Sequence, residues 1–170
     1  MLPKSYIIAK WTVYSLATLL LFGVQFLLLD HISLWGVVPF LYPLLPAVVA
    51  MYEGLNRGSV FALCTGIFCG LLLPAPFPGF YALVFTLAAI LSARIAEFLL
   101  TPGWLCGFTV SAISLVLCTL GRILYAALTG MGHLGLMVRL GLLEALFSLP
   151  ALLLALPLYR FIHRRCAAAY

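Results

Sequence analysis

GLNRGSVFALCTGIFCGLLLPAPFPGFYALVFTLAAILSARIAEFL, residues 54–99, decides how this chain folds. The 36 residues between Arg57 and Arg94 carry no charge, too long a run for one crossing of a hydrocarbon core that takes about 20 residues of helix. The segment must turn back. Pro74-Ala-Pro-Phe-Pro-Gly79 marks the place, because three prolines and a glycine remove backbone donors and interrupt a helix. The prediction is a hairpin of two membrane helices, at 58–73 and 79–99.

In the first of these helices Gly58, Ala62, Gly66 and Gly70 recur every fourth residue and so share one face. Lipid gives no hydrophobic drive between helices, so their association rests on close van der Waals contact, which small residues permit. The ridge predicts a tightly packed neighbour, either inside the chain or on a partner protein. The plain alternative is a chance row of residues that are common in membrane helices.

Composition extends this reading to the whole chain. Hydrophobic residues make up 66% and charged residues 8%, against about 25% charged in soluble domains, and the mean hydropathy is +1.25. The fold class expected is an all-α polytopic membrane protein with six transmembrane helices in one domain, residues 1–170. Six helices of roughly 20 residues consume about 120 positions and leave only loops and short tails. The expected spans are 11–29, 37–52, 58–73, 79–99, 104–128 and 136–159. The net charge of +5 comes from nine dispersed basic residues, with no dense basic or aromatic-interleaved segment to follow a phosphate backbone, so no nucleic acid partner is expected. The five cysteines show neither metal-ligand spacing nor a disulfide pattern and read as small hydrophobes. No metal or cofactor is expected.

Taken in order, 11–29 is an uncharged run ending at Asp30-His31, longer than a signal peptide's apolar region and without its cleavage site, so it reads as a retained first helix. Pro39, Pro43 and Pro46 interrupt the second span. Irregular backbone at membrane depth is tolerated only where protein or a water-filled cavity covers it, which predicts a buried or cavity-lining segment; broken helices also mark transporter sites. Residues 53–57 form a tight polar connection. Arg94 and Glu97, three apart, are placed to pair. Thr101-Pro-Gly103 stops the fourth helix, Arg122 interrupts the fifth span, and Arg139 and Glu144 interrupt the sixth. With six crossings, Lys4, Lys10, Arg57, Arg94, Arg160, Arg164 and Arg165 all fall on the starting side and only Arg139 opposite, which places both termini in the cytoplasm. The aromatic residues agree: Trp11, Tyr52, Trp104 and Tyr159 mark the inner interface, and Trp35, Tyr81 and Tyr125 the outer.

Arg122 lies about seven residues before the outer turn and Glu144 about eight residues after it, so each sits roughly 11 Å below the outer boundary. An unpaired charge at mid-helix costs about 2.5–3.5 kcal/mol on insertion scales, and an intramembrane Arg122–Glu144 pair is expected. A partner-docking site or a substrate cavity near the outer face is the functional alternative. His133, in a glycine-rich turn, and His163, in the basic tail, read as solvated. No nucleophile, base and orienting acid stand together, and no glycine-rich loop follows a strand, so no catalytic residues are assigned and an enzyme is not expected. The basic stretch 160–165 reads as a topological anchor, with contact to anionic lipid heads as the alternative.

The run 53–99, with Gly54-Leu-Asn-Arg-Gly58, Gly66-Ile-Phe-Cys-Gly70-Leu-Leu-Leu and Gly79-Phe-Tyr-Ala-Leu, resembles the MreD family of rod shape-determining membrane proteins. The length, the six-span layout and the closing Leu156-Pro-Leu-Tyr-Arg-Phe-Ile-His-Arg-Arg165 are similar as well. Two positions depart from the family pattern. Pro74 stands where the leucine run commonly ends in aspartate, and Ala145 stands where an asparagine often precedes the proline, here Pro150. The resemblance implies a non-enzymatic scaffold of the bacterial inner membrane that binds the bitopic protein MreC and, through it, supports the RodA glycosyltransferase and a class B penicillin-binding protein in lateral peptidoglycan synthesis.

A second reading is a substrate-binding S component of an energy-coupling-factor transporter, a six-helix fold to which MreD proteins are similar. Those components often carry alanines four apart on the first helix. Here only Ala9 and Ala17 lie near that helix, although an outer cavity with Arg122 and Glu144 suits a small polar ligand. A membrane enzyme acting on lipid carriers is a third class, and it lacks a polar catalytic constellation.

Overall fold

The computed structural model describes residues 4–31, 37–130, 134–150 and 152–167. Every extended regular element among them is helical: α1 (Lys4–Leu27), a single 3-10 turn (Leu29–His31), α2 (Leu44–Glu53), α3 (Leu55–Leu72), α4 (Phe80–Phe98), α5 (Trp104–Thr129), α6 (Leu134–Ser148) and α7 (Leu152–Ala167). Four stretches, Ile8–Leu27, Leu55–Leu72, Phe80–Phe98 and Trp104–Thr129, are long and apolar enough to cross a membrane. This is a membrane protein.

The expected hairpin is present as α3 and α4. Phe80, Tyr81, Val84, Phe85, Ala88, Ala89, Ser92 and Ala93 are buried on one stripe of α4 while Leu83, Leu87 and Leu91 are exposed between them. That alternation is the helical period, with one face for protein and the other for lipid. Gly79 begins α4 at φ +83, a left-handed conformation that a Cβ disfavours, and the Tyr81 hydroxyl donates to the Pro74 carbonyl across the turn at 3.1 Å.

The second expected span departs most from a straight rod. Residues 38–41 are non-helical, a turn follows at 42–43, and only the ten residues of α2 are helical. The prolines explain this. Pro43 caps α2 and Pro46 lies in its first turn, where a missing N–H leaves no intrahelical bond unmade. Every residue from Leu44 to Met51 is buried, as a helix apolar on all sides requires. Long helices surround it: α2 packs against α3, α4, α5 and α7. A single residue, Gly54 at φ +79, joins α2 to α3.

The sixth expected span, 136–159, is two helices and not one. The turn at 149–150 separates α6 from α7, because Pro150 cannot donate to the carbonyl one turn before it. α6 lies on α5, and α7 lies on α1, α2 and α5. Trp35 and His133 lie outside the described residues.

Candidate functional site

The small-residue ridge is used inside the chain over three of its four positions. A Cβ on Gly58 would stand 2.5 Å from the Ala50 Cα of α2, and one on Gly66 would stand 2.6 Å from both the Ala82 Cα and the Tyr81 carbonyl oxygen of α4. Ala62 between them is fully buried. Gly70 is exposed, with open space where a Cβ would be. The row therefore serves as an internal packing seam from Gly58 to Gly66 and is no free docking face there. Sequence spacing put four residues on one helix face, but α4 begins at Phe80, near the level of Gly66, and the fourth faces open space.

Arg122 and Glu144 meet as their positions predict. One guanidinium nitrogen of Arg122, Nη1, donates to both Glu144 oxygens, at 3.2 Å to Oε1 and 3.0 Å to Oε2. The Arg122 guanidinium carbon also stands 4.8 Å from the centre of the Phe40 ring, within range of a cation–π attraction. Together with Phe40, Arg122 borders a cavity of about 510 Å³ at the hairpin-turn end of the bundle, shared with Pro74, Tyr81, Tyr125, Thr129 and Met137. The space has apolar walls, one cation and two phenols. It can take a small molecule with an anionic group and an apolar body.

The non-helical backbone leading into α2 is held by side chains that sequence reading passed over. Gln25, on α1 and 1% exposed, donates through Nε2 to the Pro39 carbonyl at 2.7 Å and accepts from the Leu41 N–H at 3.0 Å. Its amide copies what a neighbouring strand would supply. The Phe40 N–H donates to Ser148 Oγ at 2.7 Å, and Ser114 Oγ donates to the Pro43 carbonyl at 2.6 Å. The one side-chain amide in the uncharged run 11–29 was the available signal. A buried glutamine beside an expected irregular segment has backbone to satisfy.

At the basic end, a second charged cluster overturns two readings. Glu53 is no simple loop residue: its side chain is 3% exposed, with Lys10 Nζ 2.7 Å from Oε2. The Tyr14 hydroxyl donates to Oε1 at 2.9 Å, and His163 Nδ1 lies 3.3 Å from the same oxygen. His163 is thus half-buried and partnered, its ring stacked on Tyr52 with centroids 5.1 Å apart. The break at 149–150 brings α7 back against α2, which places residue 163 here. Burial alone pushes the Glu53 carboxyl up, but the bonds from Lys10, Tyr14 and His163 outweigh it and hold it below the usual carboxylate value. Nearby, Tyr14 stacks on Tyr159, whose hydroxyl shares a 2.8 Å hydrogen bond with Thr18. The cluster ties α1, α2 and α7 together. Arg94 and Glu97 pair at 3.6 Å on the exposed end of α4, as expected from their spacing.

Among the described residues no three His, Cys, Asp or Glu side chains gather as a metal site. Cys69, Cys106 and Cys118 are buried, in keeping with their reading as small hydrophobes, and Cys64 is exposed. Compared with protein-family models, with curated proteins and with solved structures, the chain has no match in any of the three.

Proposed function

We propose that this protein is a non-enzymatic membrane scaffold of the MreD type, acting in the cell-elongation machinery of a bacterial inner membrane. The observation that carries the reading is the run 53–99, whose glycine, leucine and turn positions resemble that family. Six crossings with both termini on the cytoplasmic side fit the same proposal. α1, α3, α4 and α5 make four of them, residues 37–52 make the second in sequence as extended chain plus α2, and α6 with α7 makes the last. The basic residues then collect on one side. The partner is an MreC-like bitopic protein, through which RodA and a class B penicillin-binding protein are positioned. Because Gly58, Ala62 and Gly66 are occupied by the chain's own α2 and α4, the partner meets a different surface.

A second reading, an S component of an energy-coupling-factor transporter, is favoured by one observation, the cavity of about 510 Å³ bordered by Arg122. Co-expression of the full chain with an MreC-like protein, followed by affinity purification, separates the two. A stable complex that survives detergent exchange is expected. Purification alone, with a vitamin-sized ligand retained and lost on Arg122→Ala, would replace the scaffold by the transporter reading.

A further inference from the structure

A groove of about 800 Å³ lies between α1 and α3. Its walls are two helical stripes. Trp11, Ser15, Thr18, Leu19 and Phe22 come from α1, and Arg57, Val60, Phe61, Cys64 and Phe68 from α3, all at spacings of three and four residues that keep each set on one face. The two helices run the same way, since Trp11 meets Phe61 with centroids 5.8 Å apart and Phe22 meets Phe68 at 5.5 Å. Along the groove the chain does not cover its own apolar surface: Leu19 is 52% and Val60 63% exposed.

The two ends differ in chemistry. At the Phe22–Phe68 end the lining is aromatic and uncharged, whereas at the other end stand Arg57, Asn56 and the Trp11 indole. Arg57 is exposed and makes no ion pair with a described side chain. The carboxylate nearest in sequence, Glu53, is turned to Lys10, Tyr14 and His163. No acidic residue lies in the first turn of α3, so the positive end of that helix adds to the Arg57 charge. From Trp11 to Phe22 the groove is about 17 Å long, roughly half of a 30 Å hydrocarbon core and therefore the depth of one leaflet.

We infer that the α1–α3 groove is a binding site for one anionic phospholipid of the leaflet at the basic end of the bundle. An acyl chain lies between Leu19 and Val60 and stops at the Phe22–Phe68 pair, and the phosphate sits against Arg57 and Asn56. A cation, an amide and an indole at headgroup level, above an apolar slot one leaflet deep, match an anionic amphiphile in charge and in length. A transmembrane helix of a partner has to span both leaflets, whereas the lining of this groove ends, among the described residues, at Phe22 and Phe68. The assignment stands on the groove and is independent of the scaffold reading.

Native mass spectrometry of the full chain, extracted from vesicles of phosphatidylcholine with a minority of phosphatidylglycerol, tests it. One phosphatidylglycerol retained in preference to phosphatidylcholine is expected. Arg57→Gln should lower that preference about fivefold, the worth of one basic side chain near an anionic surface. Cys64→Trp, or Ser15→Phe if that variant does not fold, fills the slot and should abolish retention of both lipids. Arg94→Gln, a cation outside the groove, should change nothing. A photoreactive phosphatidylglycerol should label peptides of α1 and α3. Equal retention of the two lipids, an Arg57→Gln protein that keeps the preference, or label confined to other helices overturns the assignment. So does a co-purifying single-span protein that cross-links to Cys64 in the lipid's place.

Discussion

Along the α3–α4 hairpin the backbones approach until Gly66 has no room for a Cβ beside Ala82, while at residues 38–41 the chain abandons the helix and Gln25 and Ser148 supply hydrogen bonds to it. Both regions lie among apolar helices, yet one is held by contact and the other by polar satisfaction. Within the interiors of α3 and α4 the backbone groups are bonded inside their own helix, so there only packing remains to be optimised. In the broken stretch every backbone group needs a partner from elsewhere, and each such partner costs a buried polar side chain.

Substitutions should separate the two modes. Gln25→Leu strands the Pro39 carbonyl and the Leu41 N–H together, and at about 1–3 kcal/mol for each unsatisfied group it should give the largest loss of thermal stability in detergent. Gly66→Val forces the Ala82 backbone away and should cost about 3 kcal/mol, the upper part of the range for overpacking. Gly70→Val, on the same ridge but in open space, should stay within about 0.5 kcal/mol of the parent. Equal effects at Gly66 and Gly70 would remove the distinction between seam and open face.

Charge tests follow with smaller effects. Glu144→Gln leaves Arg122 without its carboxylate and should lower stability by about 2 kcal/mol, less than the full insertion cost because the guanidinium borders a cavity; Arg122→Gln with Glu144→Gln should recover part of that loss. At the other end the Glu53 carboxyl is held below its usual value by Lys10, Tyr14 and His163. Folded protein therefore binds that proton less readily than unfolded protein. The stabilisation is complete above the ordinary carboxylate range and is lost as pH falls through the lowered value. Melting temperatures followed from neutral pH into acid should show Glu53→Gln less pH-sensitive than the parent in that window. Parallel curves would remove Glu53 as the source.

What could be read in advance follows the same division. Runs without charge, the prolines at 39, 43, 46, 74, 76 and 78, and the spacing of Gly58, Ala62 and Gly66 expose the hairpin and the irregular segment, because they act through local backbone chemistry. The Arg122–Glu144 pair was legible because a shared depth leaves two opposite charges few other partners. The contacts of Gln25, Ser148, Glu53 and His163 were not. Each spans a sequence gap set by how α1, α2 and α7 come together, and the turn at 149–150 that governs this arises from one proline whose effect on helix direction spacing does not give. The break at 149–150 within the last expected span went unread for the same reason.

The ten-residue α2 carries a consequence for how the protein is made. At about 15 Å it reaches only halfway through a bilayer, and the backbone before it has its partners on helices α1, α5 and α6. Alone in lipid it has no stable resting state. A chain that stops before α5 lacks the Ser114 and Ser148 partners of this backbone, so truncation there should leave the segment open to proteolysis that the full chain resists.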